Sequence, residues 1–166
     1  MIFLLELTYL FCIYSVLGWI VEVVYFYYKT SKFHKRGILH GAYCPLYGFS
    51  LAFCTALTYD IIDNFFFSFL VCTMICTVFE LITGIVFDRL LKRKMWDYTG
   101  MKFNLGGYIC LSFALIWGIT ATICIRYLNP LLLMSSNPTD IIMKSVFSTV
   151  LIIFMITDMF SFIKTR

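Results

Sequence analysis

Five apolar stretches, over residues 2–28, 40–58, 65–87, 106–125 and 141–163, take up most of this chain and leave it few folds to choose from. A helix rises about 1.5 Å per residue, so roughly 20 residues cross a ~30 Å hydrocarbon core. Each stretch is close to that length. The spacing predicts an all-α integral membrane protein, a bundle of five transmembrane helices forming one domain over residues 1–166. Composition agrees: 61% of the residues are hydrophobic, 19% aromatic and 13% charged. A soluble chain of this size has too much surface to hide that apolar fraction in one core. The first stretch does not read as a signal peptide, because no basic residue precedes it and it is too long for an apolar signal region.

Charge placement predicts the topology. Of 13 Lys and Arg, four lie in 29–36, five in 89–102 and two in the tail at 164–166. By the positive-inside rule these loops and the tail face the cytoplasm. An odd number of crossings then leaves the N-terminus of this multi-pass chain outside. The rival arrangement has six segments, with 126–137 dipping back into the bilayer. Asn129-Pro130 and Asn137-Pro138 read as turn signals within the last connection. Because the basic residues sit in short clusters between apolar segments, the net charge of +4 reflects topology and not nucleic-acid binding.

The seven cysteines fall mostly inside apolar segments and read as small packing residues. Cys72 and Cys76 share a helix face, but no histidine or further ligand has fitting spacing, so neither a metal nor a cofactor is expected. No connection is long enough for a nucleotide-binding domain and no G-x-x-x-x-G-K-[ST] loop is present; ATP would have to be bound by a separate ATPase subunit.

The polar residues inside the apolar stretches carry the functional expectations. An ionisable group in hydrocarbon costs roughly 2.5–3.5 kcal/mol on insertion scales, so each needs a reason. Glu22 shares a face with Ser15, Gly18 and Trp19; Glu80 shares one with Thr73, Thr77 and Gly84. Glu22, Glu80 and Asp158 all fall in the half of the bilayer nearer the basic loops. Arg36, His40, Tyr43, Cys44, Tyr47, Asp97, Tyr98 and Asn104 lie at or near the same face. Pro45 breaks the start of the second segment, and Asn104-Leu-Gly106-Gly107 gives the fourth a non-helical start; backbone freed at that depth must line a cavity or be buried in protein. Together these predict a polar pocket opening to the cytoplasm. Arg36, Glu22, Glu80, Tyr47, Asn104 and Asp158 are the candidate substrate-binding residues. Asp97, Glu80, Glu22 and His40 are the candidate catalytic groups if the pocket does chemistry. In the plainer reading, Glu22 and Glu80 pair with Arg36 and Arg89 to fix helix packing, and Trp96 and Tyr98 belong to the interfacial aromatic belt.

Tyr14-Ser15-Val-Leu-Gly18-Trp19-Ile-Val-Glu22, then Arg36-Gly37-Ile-Leu39-His-Gly41-Ala-Tyr43-Cys44-Pro45-Leu-Tyr47-Gly48, then Glu80, Trp96-Asp97-Tyr98, Phe103-Asn104-Leu-Gly106 and Trp117-Gly118 follow one another in order. This series, over roughly residues 8–118, resembles the bacterial ABC-transporter type IV permease family, small membrane proteins common in Firmicutes. Ala42 stands where the family pattern usually has proline. The resemblance implies a transport subunit working with a separate ATPase, completed by a homo-oligomer or a partner chain. The stretch 88–102 is the candidate docking site for that partner.

Three functions are compatible with these features. The first is a permease-like transport component with a polar site facing the cytoplasm. The second is a membrane-embedded enzyme acting on a lipid or isoprenoid phosphate at the cytoplasmic interface, with Arg36 holding phosphate. The third is a non-catalytic oligomeric effector or assembly factor.

Overall fold

The computed structural model describes residues 2–33, 37–58, 63–92, 94–134 and 137–164. Its elements are α1 (Ile2–Thr30), α2 (Pro45–Thr58), α3 (Phe65–Leu91), the two-residue strands β1 (Asn104–Leu105) and β2 (Ile109–Cys110), α4 (Leu111–Ile123), a π-helical turn (Cys124–Leu128), α5 (Asn129–Leu133) and α6 (Pro138–Lys164). The described chain is almost all helix, as expected. α1, α3, the continuous run Leu111–Leu133 and α6 are each long and apolar enough to cross a membrane, while α2 is a shorter apolar helix of 14 residues.

Three boundaries differ from the sequence expectation, each for a local reason. α2 begins at Pro45 and not near residue 40, because proline lacks an N–H and fits only the first turn of a helix. α4 begins at Leu111 and not at 106. Gly106 and Gly107 take φ of +60° and +76°, a region open to glycine. They turn the chain back on itself, pairing Asn104 with Cys110 and Leu105 with Ile109 in an antiparallel ladder. Asn129-Pro130, expected to end the fourth segment, lies within the helical run. The π-helical turn just before it widens the ladder where Pro130 cannot donate. The buried Asn129 side chain donates to Thr55 Oγ1 at 2.9 Å. Residues 126–133 therefore extend the fourth segment, which corrects the six-segment alternative with its dip at 126–137; residues 135 and 136 of that stretch lie outside the described residues.

The fold divides into two compact units, residues 1–52 with 133–166, and residues 53–132. In the first, α1 packs on α6 through Cys12, whose thiol donates to the Ser148 carbonyl at 3.8 Å, and through an edge-on Tyr9–Phe147 ring pair. α2 reaches α1 through Gly48, where any Cβ would collide with Ser15 Oγ and the Phe11 carbonyl. In the second unit, Asn64 caps α3 by accepting from the Phe67 amide at 3.2 Å. α4 meets α3 at Gly118, where a Cβ would collide with Thr73 Oγ1. Cys54 Sγ stands 3.9 Å from Cys76 Sγ.

Both units bury small and polar side chains and turn bulky apolar ones outward. Ser15, Ser68, Cys72, Cys76, Glu80 and Thr122 are among the buried residues, whereas Met74 is 70% exposed and Phe154 61%. Water would favour the reverse. In lipid the tails are as apolar as leucine, so helices associate through close backbone approach and interhelical hydrogen bonds.

Gly118→Ala should overpack the α3–α4 contact and lower stability by about 1–3 kcal/mol. Gly100→Ala, which meets nothing within 4 Å, should stay within about 0.5 kcal/mol of the parent. Thermal melting in mild detergent, read by light scattering or tryptophan emission, checks both.

Candidate functional site

Glu22 lies on the last third of α1, half-buried, and receives Tyr47 O–H on Oε1 at 2.6 Å. Two glycines allow this. A Cβ at Gly18 would collide with Tyr47 Cβ and the near edge of its ring, so Tyr47 packs directly against the α1 backbone. Gly48, the next residue along, lets α2 come within backbone reach of α1. The Cys44 amide donates to the Ser15 carbonyl at 2.7 Å and fixes where α2 starts. That bond uses the acceptor that Ser15 presents in mid-helix, while Ser15 Oγ bonds back to the Phe11 carbonyl at 2.7 Å.

A second centre in the same unit surrounds Asp158 of α6. His40 Nδ1 lies 2.7 Å from Oδ1, and the Gly41 amide and Tyr43 O–H donate to Oδ2 at 2.8 and 2.7 Å. Asp158 is 10% exposed and His40 69% exposed, so the carboxylate is the anchor and the imidazole its outer cover. Sequence reasoning grouped His40, Tyr43 and Asp158 at one face without joining them. The structure joins them into a clamp holding residues 40–43 against α6.

In the second unit the buried Glu80 of α3 takes Tyr98 O–H on Oε1 at 2.9 Å and Trp117 Nε1–H at 3.4 Å. Tyr98 stacks on Phe113 at 4.9 Å between ring centroids, and Phe113 is followed by Trp117 at 6.3 Å. The two rings that donate to the carboxylate are thus linked through Phe113. Tyr98 suited an interfacial aromatic belt; in the structure its hydroxyl turns inward to Glu80. In the sequence Trp117 stands out only through the Trp117-Gly118 motif. Its place in mid-helix, away from either predicted interface, was the signal that it served something other than the belt.

Asp97 and Asn104, proposed as general base and substrate ligand, hold a loop. Asp97 Oδ1 accepts the Thr99 amide at 3.0 Å and the Thr99 hydroxyl at 2.9 Å, with Lys94 Nζ 3.5 Å away. Asn104 donates to the Met101 carbonyl at 2.8 Å and accepts from the Gly107 amide at 3.1 Å. Lys94 donates to the Gly106 carbonyl and Trp96 to the Tyr108 carbonyl, each at 2.8 Å, and Tyr108 O–H reaches Asp88 at 2.6 Å. The Thr99 amide, then its hydroxyl, hold the Asp97 carboxyl below its ordinary range. The bond to Asp88 and burial raise the Tyr108 phenol. Arg36 lies outside the described residues.

The candidates therefore fall into separate centres: Glu22 with Tyr47, His40 with Asp158, Glu80 with its aromatic donors, and Asp97 with Asn104 in the loop before α4. Carboxylates held by aromatic donors in apolar surroundings can accept and release a proton or a cation, since either neutralises a charge that lipid disfavours.

A family profile described as "Putative ABC-transporter type IV" matches residues 9–163. No curated protein and no solved structure matches the chain.

Two outcomes follow from the anchors. Asp158→Ala should release residues 40–43, speeding hydrogen exchange at the Gly41 amide and costing about 2–3 kcal/mol once the exposed His40 is discounted. The bonds to Asp97 favour its ionised form, so the order they give the 94–107 loop is present at neutral pH and lost as pH falls through the lowered value. Trp96 emission should hold steady down to about pH 4, the ordinary aspartate range, and change only below it.

Proposed function

The chain belongs to this ABC-transporter type IV family, and on that premise we propose that it is a permease-like transport component of the bacterial cell membrane, with a polar intramembrane site near the cytoplasmic face. The observation that carries the reading is the pair Glu22 and Glu80. Each stands on a helix of membrane-spanning length, and each is met by an aromatic O–H or N–H from another element. Simple anchoring does not require a charge there: a Gln would make comparable neutral hydrogen bonds without the insertion cost of a carboxylate. A group whose charge matters is one that binds protons or cations.

The basic loops and tail face the cytoplasm in this reading, and the N-terminus faces outward. Each carboxylate then lies nearer the side on which an ATPase subunit would work. The 88–102 stretch, with Arg89, Lys92 and Lys94 around Leu90 and Trp96, supplies the surface for such a partner. A second copy of the chain would complete the path through the bilayer.

Purification of the tagged native protein in mild detergent, with mass spectrometry of what accompanies it, tests the proposal. An ATPase or second permease chain should co-purify at near-stoichiometric yield. Glu22→Gln and Glu80→Gln should leave that complex intact while abolishing its solute-stimulated ATP hydrolysis. A lone chain carrying one stoichiometric lipid or isoprenoid would overturn the transport reading.

A further inference from the structure

The two carboxylate centres repeat each other residue by residue. Phe11, Ser15, Gly18 and Glu22 of α1 are matched 58 positions later by Phe69, Thr73, Cys76 and Glu80 of α3. Tyr47, Gly48, Ser50 and Cys54 of α2 are matched 70 positions later by Trp117, Gly118, Thr120 and Cys124. Within each set the spacing is identical. The two offsets differ by 12 positions, and the surplus falls in the connection that carries the β1–β2 hairpin.

Sequence matches this short arise by chance, and a serine or threonine bonding back to the carbonyl four residues earlier is common in apolar helices. The contacts are more demanding. Ser15 Oγ bonds the Phe11 carbonyl at 2.7 Å, and Thr73 Oγ1 bonds the Phe69 carbonyl at 2.7 Å. On Ser15 Oγ sits Gly48; on Thr73 Oγ1 sits Gly118. The residue before each glycine is an aromatic hydrogen-bond donor, Tyr47 or Trp117. Each donates to the glutamate seven residues beyond the hydroxyl, at 2.6 Å and 3.4 Å. The back-bonds are ordinary, but helix geometry forces neither the glycine contacts nor the aromatic donations, and the sequence offsets predict both.

We propose that the chain is a tandem duplication of a two-helix module, α1–α2 and α3–α4, and that Glu22 and Glu80 are two copies of one carboxylate site. Each copy is positioned by an aromatic donor–glycine pair on the following helix. This rests on the reading above in one respect only: that the glutamates are reached by the cations or protons the protein handles. Trp117, Gly118 and Thr73 are thereby positioning residues with the same task as Tyr47, Gly48 and Ser15. A transport subunit built this way presents two equivalent binding groups per chain.

Modification by a hydrophobic carbodiimide, which captures protonated carboxyls within lipid or detergent, tests the pairing on the full chain at neutral pH. Mass spectrometry reads Glu22 and Glu80 separately. In the parent both should react, to within about twofold of each other. Tyr47→Phe should raise modification of Glu22 roughly tenfold by removing a short hydrogen bond to a charged group. Trp117→Phe should raise Glu80 at least about threefold, less because the lost bond is longer and Tyr98 still donates. Each should leave the other glutamate unchanged. Trp117→Tyr, which restores the donor of the first copy, should return Glu80 to the parent level; a merely structural role for the ring would not require that. Reaction at one glutamate alone, or Trp117→Tyr behaving like Trp117→Phe, overturns the equivalence. If neither glutamate reacts in any variant, the accessible-site reading fails, and melting temperature decides the duplication. Lowering by both Phe variants with recovery in Trp117→Tyr supports it, and lowering by only one overturns it.

Discussion

Close approach of backbone to backbone at two glycines is the contact on which the rest of this structure hangs. Without Gly48, α2 would stand off from Ser15 by at least the width of a methyl group, and Tyr47 O–H would no longer reach Glu22. Gly118 does the same for Trp117 and Glu80. Hydrophobic attraction supplies little between helices in lipid, so dispersion across a short gap and hydrogen bonds across it must hold them. Those hydrogen bonds are the ones that meet the carboxylates of the long apolar helices. Helix packing and carboxylate placement are therefore one problem, solved at the same positions.

The polarity of each unit follows. Serine and threonine hydroxyls can sit inside because they satisfy themselves on the preceding turn of their own helix, as Ser15, Ser50, Thr58, Thr73, Thr77 and Thr122 do. That leaves the buried surface smooth and small, which lets neighbours approach. Met74, Val78 and Ile82 stand exposed along one face of α3.

Length and apolarity made the helical class and the segments legible, because the thickness of hydrocarbon sets a scale that sequence can be measured against. The ends were less legible. Proline and glycine signal a break without saying on which side of it the helix lies. Pro45 began its helix, whereas Asn129-Pro130 was carried inside one, because a π-helical turn and the Asn129–Thr55 bond absorbed it. Among the candidate site residues, position within the apolar stretches alone pointed to Glu22, Glu80 and Asp158. Their partners were hidden: Tyr98 and Trp117 lie 18 and 37 residues from Glu80, and Asp158 lies 118 from His40. Asp97 hid its partner for the opposite reason. It stands alone among aromatics in the sequence, yet its chief partner, Thr99, is two residues away.

The connections before α2 and α4 show why the two modules look unalike in sequence while agreeing at their centres. Each must hold the start of its second helix so that an aromatic donor lands on a glutamate. In the first, Tyr43, His40 and Gly41 are tied to Asp158 of α6, a helix outside both modules. In the second, the 12 added positions build a hairpin, and Tyr108 ties it to Asp88 of its own module. A tyrosine–aspartate bond just before the helix serves in both, with the aspartate supplied from different places. The centres are held to a narrow geometry by steric contact at glycine, so they stay alike. The connections need only a fixed end point, which many loops can provide. Similarity confined to the centres, with divergence in what leads to them, is what a duplicated module under those two constraints should retain.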